Sequence, residues 1–399
     1  MKLYPLFHSP NDVELKYLIK TQGRYTLNFK ISKRVFYSAL NTVSRAISSN
    51  SPLPALSGIK IEVNQDSIVL TGSDSDISIQ TTLKGSDEEI NLIVKETGSI
   101  VIEAKYILEI VRKIDADEIE LEIVDGSLTK ISGMSAEFRI NGMRALDYPA
   151  IDFTRPGQQF EMDADVLLKV ISQTTFATSD RETRPVLTGV NMKCSGKRLE
   201  CVATDSYRLA RKIVDLTSEN NFNITIPAKS LNEVSKTIAQ DSSVLIAVSD
   251  KKAQFWIGET VIQTRLIDGA YPETARLIPT EFAHELTVDS RDMLNAIDRA
   301  SFIKNEGISI VKLSANSEEV VISSKSQEVG SSVENLNILT YEGNPLEISF
   351  SGKYVFEAIR VLSATTIKIL FSGEMKPFVI RNTDDDSILQ LVLPVRTYS

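Results

Sequence analysis

Side chains that carry chemistry are scarce in this chain. Of 399 residues, only Cys194 and Cys201 are cysteines and only His8 and His284 are histidines. Two cysteines supply neither a disulfide framework nor a four-ligand zinc site, and two histidines leave transition-metal catalysis without ligands. No Ser/His/Asp or Cys/His set can be assembled, because His8 lies in an atypical first segment and His284 at an expected domain boundary. No Gly-rich phosphate loop occurs. No apolar run reaches the length needed to span a bilayer. The opening MKLYPLFHSPNDVELKYLIK mixes charged with apolar residues and has no signal-peptide core. These absences point to a cytoplasmic chain with no cofactor, no metal and no membrane partner. Positive charge is in deficit as well. A net charge of −9, taken alone, argues against nucleic acid, which selects basic surfaces.

What is present is a repeat. Lys105, Lys229 and Lys353 stand 124 residues apart, and each opens a similar stretch: AKYILEIV, AKSLNEVS and GKYVFEAI. Each is followed four residues later by a glutamate, at Glu109, Glu233 and Glu357. FKISKRVFYSALNTVSRAIS (29–48) aligns with FEMDADVLLKVISQTTFATS (160–179) at an offset of 131, and HELTVDSRDMLNAIDRASFIK (284–304) is a third version. Pro54, Gly58 and Asp74 recur 131 residues on as Pro185, Gly189 and Asp205, and Tyr148-Pro149 recurs 123 residues on as Tyr271-Pro272. A period near 125 makes the chain three copies of one domain. With 42% hydrophobic residues, each copy can bury a core of its own.

Each copy has two halves, and each half runs strand, helix, strands. Phe29-Lys30-Ile31 alternates, Ser32 is suited to cap a helix, and Val35, Phe36, Leu40, Val43 and Ile47 then fall on one helical face. IKIEV (59–63), SIVLTG (67–72) and DISIQTTL (76–83) follow as half-buried antiparallel strands. SIVIEA, the helix from Lys105, EIELEIV, LTKIS and AEFRING repeat the plan. A helix after every few strands, without regular strand–helix–strand alternation, reads as α+β. The six expected helices together carry +6, which leaves −15 on the rest of the chain. Two of the six are not basic; a preference of Lys and Arg for helices, which Glu and Gln share, does not explain why Glu is scarce in all six.

Four further stretches carry a family resemblance: SPLPALSGIKIEV (51–63) with TGSDSDISI (71–79), TRPVLTGV (183–190) with VATDSYRLA (202–210), RLIDGAYPETARLIP (265–279), and the terminal LQLVLPVRTYS (389–399). From about Leu27 to Ser399 the sequence resembles the bacterial DNA polymerase III beta subunit, the sliding clamp. The resemblance implies three tandem DNA-clamp domains, each of two helices and antiparallel sheets, in a head-to-tail dimer that closes into a ring. Such a ring encircles duplex DNA and tethers the replicative polymerase alpha subunit, the clamp loader and other proteins with a clamp-binding motif. The expected segments are an N-terminal extension, 1–25, loosely held, and domains 26–150, 151–281 and 282–399. No intrinsic catalysis is implied, only a place in a polymerase holoenzyme.

The resemblance also implies sites. Weak, sequence-independent attraction for phosphate would come from Arg45, Lys105, Arg181, Lys229 and Lys353. An Arg common in the family near Asn50 is replaced here by a neutral residue. Any one lysine taken alone is equally well a solvated surface charge. A partner-peptide pocket between the second and third domains would be lined by Leu187, Thr204, Ser206, Tyr207, Arg208, Leu209, Pro272, Arg276 and Leu277, with Tyr354, Leu391, Leu393 and Pro394 from the third domain. Many members have His where Tyr207 stands. Leu187, Leu209 and Leu277 are equally open to a reading as ordinary core. Leu389, Leu391 and Leu393 alternate up to Pro394, as in a final strand with an exposed end. The dimer seam would bring Phe302 and Ile303 against Phe138 and Ile140, unless all four lie in their own cores. Two other classes stay open: an enzyme using Asp74, Asp76, Asp205 and Asp384-Asp385-Asp386 as metal ligands, and a protein-only scaffold. Asp74 and Asp205 read better as braces of repeat-related turns.

Overall fold

The structure is a computed structural model that describes residues 26–396 apart from 49, 50, 52, 240, 241, 305 and 306. The expected extension 1–25, with His8, and the position of Asn50 lie outside the described residues. The chain divides into two compact units, 1–154 with 258–263, and 155–257 with 264–399.

In the first unit, helix α1 (Lys33–Ser44) follows directly on the strand Asn28–Ser32, and α2 (Ala104–Lys113) on the strand Gly98–Glu103. The strand Asn28–Ser32 sits inside a five-stranded sheet, between Ile93–Glu96 and Glu118–Asp125, which continues through Leu128–Gly133 to Ala136–Asn141. Gly98–Glu103, Gly58–Val63, Ser67–Ser73 and Ile77–Lys84 pair antiparallel in that order. α1 buries Phe36, Ala39, Leu40 and Val43, and Phe29 meets Phe36 edge to face at 5.6 Å. Of the expected apolar face, Val35 and Ile47 are only half-buried, and Ile47 lies past the helix end. Each large side chain of this kind fully withdrawn from water contributes about 1.5–3 kcal/mol. At Gly72 helix and sheet leave no room for a side chain: a Cβ there would lie 2.2 Å from the Val43 carbonyl oxygen.

The second unit holds the helices of the other two copies. α3 (Ala164–Thr174) and α4 (Ala228–Ser235) belong to one, α5 (Ser290–Ser301) and α6 (Gly352–Arg360) to the other. The three lysines that mark the repeat are each the second residue of a helix, α2, α4 and α6, and all three are exposed. In the second copy the short strands run together. Gly189–Thr204 and Arg208–Pro227 pair along nearly their whole length, with one bulge between Gly196 and Arg198. Gly196 adopts φ 63° there, a conformation glycine takes without a Cβ clash. Arg208–Pro227 then pairs with Ile388–Val392, so the last described strand lies inside a seven-stranded sheet shared by the second and third copies. Gly330–Asn335, Val320–Ser326, Ile310–Ala315 and Leu346–Ser351 form a separate four-stranded sheet.

Ser32 does not cap α1 with its side chain. The helix follows its strand without a loop, and its first N–H is taken instead by the Asp117 carbonyl at 2.8 Å. Ala164 and Ser290 donate in the same way to the carbonyls of Ser242 and Thr365, both at 2.8 Å. In all three copies the acceptor stands just before the first strand that follows the second helix. Gly352 donates to Ser309 at 3.0 Å. Only α5 among the described helices has a side-chain cap, Asp289, which accepts from the N–H groups of Arg291 and Asp292. Backbone carbonyls from the other half of each domain thus take the first N–H of these helices, at α1 in place of the Ser32 side chain.

Candidate functional site

The site grows from one turn. Between the strands that end at Thr204 and begin at Arg208, the carboxylate of Asp205 accepts the N–H groups of Tyr207 and Arg208 on one oxygen, at 2.9 and 3.0 Å. Ser206 takes φ 79° and donates its N–H to Thr204 Oγ1 at 3.1 Å. Thr204 Oγ1 donates across the turn to the Arg208 carbonyl at 2.6 Å, and the Thr204 N–H donates to the Tyr271 hydroxyl at 3.1 Å. The first copy has the same turn. Asp74 accepts from Asp76 and Ile77 at 3.0 and 2.9 Å, Ser75 has φ 82°, and its N–H donates to Ser73 Oγ at 3.1 Å. The aspartates therefore brace backbone. Asp385 is engaged too, by Lys212 at 2.9 Å and by the Ser387 N–H at 2.9 Å. Among the described residues no group of three or more His, Cys, Asp or Glu is placed to hold a metal ion.

What differs between the two turns is the residue that closes them. In the first copy it is Ile77, buried in its own core. In the second it is Arg208, also buried, with its guanidinium enclosed. Nε donates to Asp205 at 3.1 Å, Nη2 to the Phe176 carbonyl at 2.5 Å, and Nη1 to Glu357 on α6. The Phe176 and Tyr354 rings lie 5.1 and 4.6 Å from the guanidinium carbon. Tyr354 in turn stacks on Tyr207, with centroids 6.5 Å apart and planes at 25°. Tyr207 stands 55% exposed. Burial raises the pKa of Tyr354, and that of Tyr271 well above the usual phenol range.

Around this turn Leu209 and Leu391 are buried in one apolar cluster with Val202, Leu370, Val379 and Leu389, and Leu393 and Tyr271 pack against it. The Leu393 N–H donates to the Tyr207 carbonyl at 2.9 Å, which carries the final strand up to the turn. Leu187 is buried in the short 3-10 turn Pro185–Thr188. Arg276 and Leu277 stand exposed on another, Ala275–Leu277, while Pro272 and Pro394 are half-buried. The final strand is Ile388–Val392, and the expected exposed end lies just past it. All five residues of Ile388–Val392 are buried, because one face, with Ile388 and Val392, packs into the core with Met293 and Val355 and the other, with Leu389 and Leu391, into the Leu209 cluster, and the chain opens to solvent only beyond it.

The other expected residues separate by unit. Arg45, at the end of α1, and Lys105 are exposed in the first unit. Arg181, Lys229 and Lys353 are exposed in the second. Phe138 and Ile140 are half-buried on Ala136–Asn141, a strand paired on one side only among the described residues. Phe302, just past α5, is 80% exposed, and Ile303 is half-buried. Arg299 of α5 pairs with Glu334 at 2.8 Å on Gly330–Asn335, itself the last strand of its sheet. None of these four apolar residues is enclosed in a core.

Sequence reasoning weighed Asp205 only as a metal ligand or a turn brace, and passed over Phe176 and Glu357 as site residues. Glu357 occupies the repeated position four residues after a lysine. In the first two copies that glutamate pairs with the cation three residues on, Arg112 at 2.8 Å and Lys236 at 2.7 Å. Arg360 stands at the same spacing from Glu357, so the local pattern conceals the bond to Arg208.

Three family models cover the chain. The N-terminal, central and C-terminal domains of the DNA polymerase III beta subunit match residues 27–152, 161–273 and 275–396. The chain belongs to the DNA polymerase III beta subunit family. A beta sliding clamp of Bacillus subtilis is 41% identical over 379 residues, covering 93% of this chain and all of the relative. One from Staphylococcus epidermidis is 38% identical at the same coverage. A crystal structure of the DNA polymerase sliding clamp from Bacillus subtilis superposes with a TM-score of 0.90 at 40% identity, over 93% of this chain and all of that one. A clamp from Bartonella birtlesii bound to griselimycin gives a TM-score of 0.87 at 27% identity, again over 93% of this chain and all of that one. The α+β reading with three tandem clamp domains agrees with these matches.

Proposed function

We infer that the chain is a DNA sliding clamp. Two copies join head to tail into a closed ring around duplex DNA, and the ring tethers the replicative polymerase alpha subunit, the clamp loader and other replication and repair proteins. It is a non-catalytic subunit of the polymerase holoenzyme and works in the cytoplasm. The observation that carries this reading is the family match to all three domains of one chain. Domain limits at 26–150, 151–281 and 282–399 accord with the repeat.

Arg45, Lys105, Arg181, Lys229 and Lys353 supply the attraction for phosphate. The recurrence of an exposed lysine at the second position of α2, α4 and α6 supports this, because a sliding surface has to present a similar weak field to every turn of the duplex. The partner peptide docks on the cluster around Leu209 and Leu391, beside Tyr207 and Tyr354. Leu277, exposed and apolar, and the half-buried Pro272 and Pro394 suit an extended peptide with apolar anchors. The seam joins the open edge of Ala136–Asn141 in one subunit, with Phe138 and Ile140, to Phe302 and Ile303 in the third domain of the other subunit.

Retention on DNA tests the whole. Loaded onto nicked circular DNA, the ring stays bound at high salt and runs off once the circle is linearised. Loss with salt from both forms is the mark of ordinary electrostatic binding, and no retention on either is the mark of a protein-only scaffold.

A further inference from the structure

We propose that Glu357 is a positioning residue for partner binding, acting through Arg208. The proposal rests on the reading of the surface around Tyr207 and Tyr354 as the partner site. It adds to that surface a carboxylate that does not face the partner.

The repeat supplies the contrast. Glu109, Glu233 and Glu357 are equivalent residues. Glu109 is a solvated partner of Arg112 and Lys113 on its own helix, and Glu233 pairs with Lys236 one turn on. Glu357 instead leaves α6 and bonds to a guanidinium 149 residues away in the chain. Both ends of that bond are sheltered, with side-chain exposures of 8% for Arg208 and 22% for Glu357. Asp205 and Glu357 hold Arg208 from opposite elements, the turn of the second copy and the helix of the third.

The consequence reaches the exposed rings. Three guanidinium nitrogens are committed to Asp205, Glu357 and the Phe176 carbonyl, and two aromatic rings lie against the cation. So held, Arg208 is spent on the protein and fixes the place of Tyr354, against which Tyr207 stacks. With the Glu357 carboxylate gone, an arginine retaining only Asp205 and Phe176 has room to swing, and the stacked tyrosines lose their backing. A second tie runs beside it: Gln173 near the end of α3 donates to the Val361 carbonyl at 3.2 Å, and Gln390 donates to the Gln173 carbonyl at 3.2 Å. The two copies therefore stay joined when Glu357 is changed, and the effect falls on the tyrosines rather than on the fold.

The test is a double-mutant cycle on full-length protein, read by fluorescence polarisation with a peptide bearing the polymerase alpha subunit's clamp-binding motif. Glu357→Ala weakens peptide binding about tenfold, the scale of one charge-assisted hydrogen bond. Glu357→Gln, which keeps one hydrogen-bonding oxygen, weakens it less and serves if the alanine variant folds poorly. Glu109→Ala leaves affinity unchanged. In an Arg208→Ala background, Glu357→Ala adds nothing further, since the two act as one unit. Wild-type affinity in both Glu357 variants overturns the proposal, as does full additivity with Arg208→Ala. Failure of the underlying reading looks different: Tyr207→Ala and Leu277→Ala then also bind the peptide as wild type does.

Discussion

Asp74 and Asp205 do the same work in two copies of the domain. Each carboxylate takes two successive-turn N–H groups on one oxygen, behind a serine held at positive φ. Asp74→Ala and Asp205→Ala are each expected to lower unfolding free energy by about 1–2 kcal/mol, the worth of a lost side-chain brace, as measured by urea denaturation. Only Asp205→Ala also weakens peptide binding, because only its turn ends in Arg208. Equal peptide affinity in the two variants contradicts this division of roles.

Truncation of the tail depends sharply on where it starts. Val392 is fully buried in a central strand, whereas Leu393 begins the segment that opens to solvent. A chain ending at Val392 is expected to fold, dimerise and lose peptide binding. A chain ending at Leu391 removes a buried valine, at a cost of about 1.5–3 kcal/mol, and shows a lowered melting temperature besides. Undiminished peptide binding by the longer truncation rules the tail out of the partner site.

At the seam, Phe302→Ala combined with Ile303→Ala is expected to give a folded monomer. Phe302 is largely exposed in the single chain, so its loss removes little from the fold and much from an interface anchor. Sedimentation velocity separates the outcomes, with circular dichroism to verify folding. A dimer that persists at low micromolar concentration places the seam elsewhere.

Acid sensitivity follows from Asp385. Burial works against its charged form, but hydrogen bonds from Ser387 and Lys212 outweigh this and hold its pKa below the usual carboxylate value. A carboxylate whose folded pKa lies below its unfolded one contributes stability above the unfolded pKa, and that contribution is lost as pH falls through the folded pKa. Asp385→Asn is therefore expected to be less stable than wild type near neutrality, with the gap closing in acid. The side chain is partly exposed, so solvent screening keeps the effect modest. A gap that is constant across the titration separates the loss from the charge.

Much of this was legible in the chain. The period near 125 residues located six helices, and every marker lysine fell at the second position of one. The offset of 131 that links Asp74 to Asp205 also linked two turns with the same backbone bracing. Less legible was the final strand. The alternation of Leu389, Leu391 and Leu393 suggested one buried face, yet Gln390 is buried too, because the face it shares with Ile388 and Val392 packs into a core as well, where it donates to the Gln173 carbonyl.

The amino-acid sequence by itself determined the repeat, the helices and the turn chemistry, since each rests on residues close together in the chain: an apolar period, an aspartate two or three positions before the N–H it accepts. Tertiary structure alone decided which copies of those features meet. Glu109, Glu233 and Glu357 carry the same local pattern, with a cation three residues on. Only the last finds Arg208, because only there does the pairing of Arg208–Pro227 with Ile388–Val392 bring the second copy's turn beside the third copy's helix. Sequence spacing encodes contacts along one element, and the partner of a buried charge is chosen by whatever the fold sets against it.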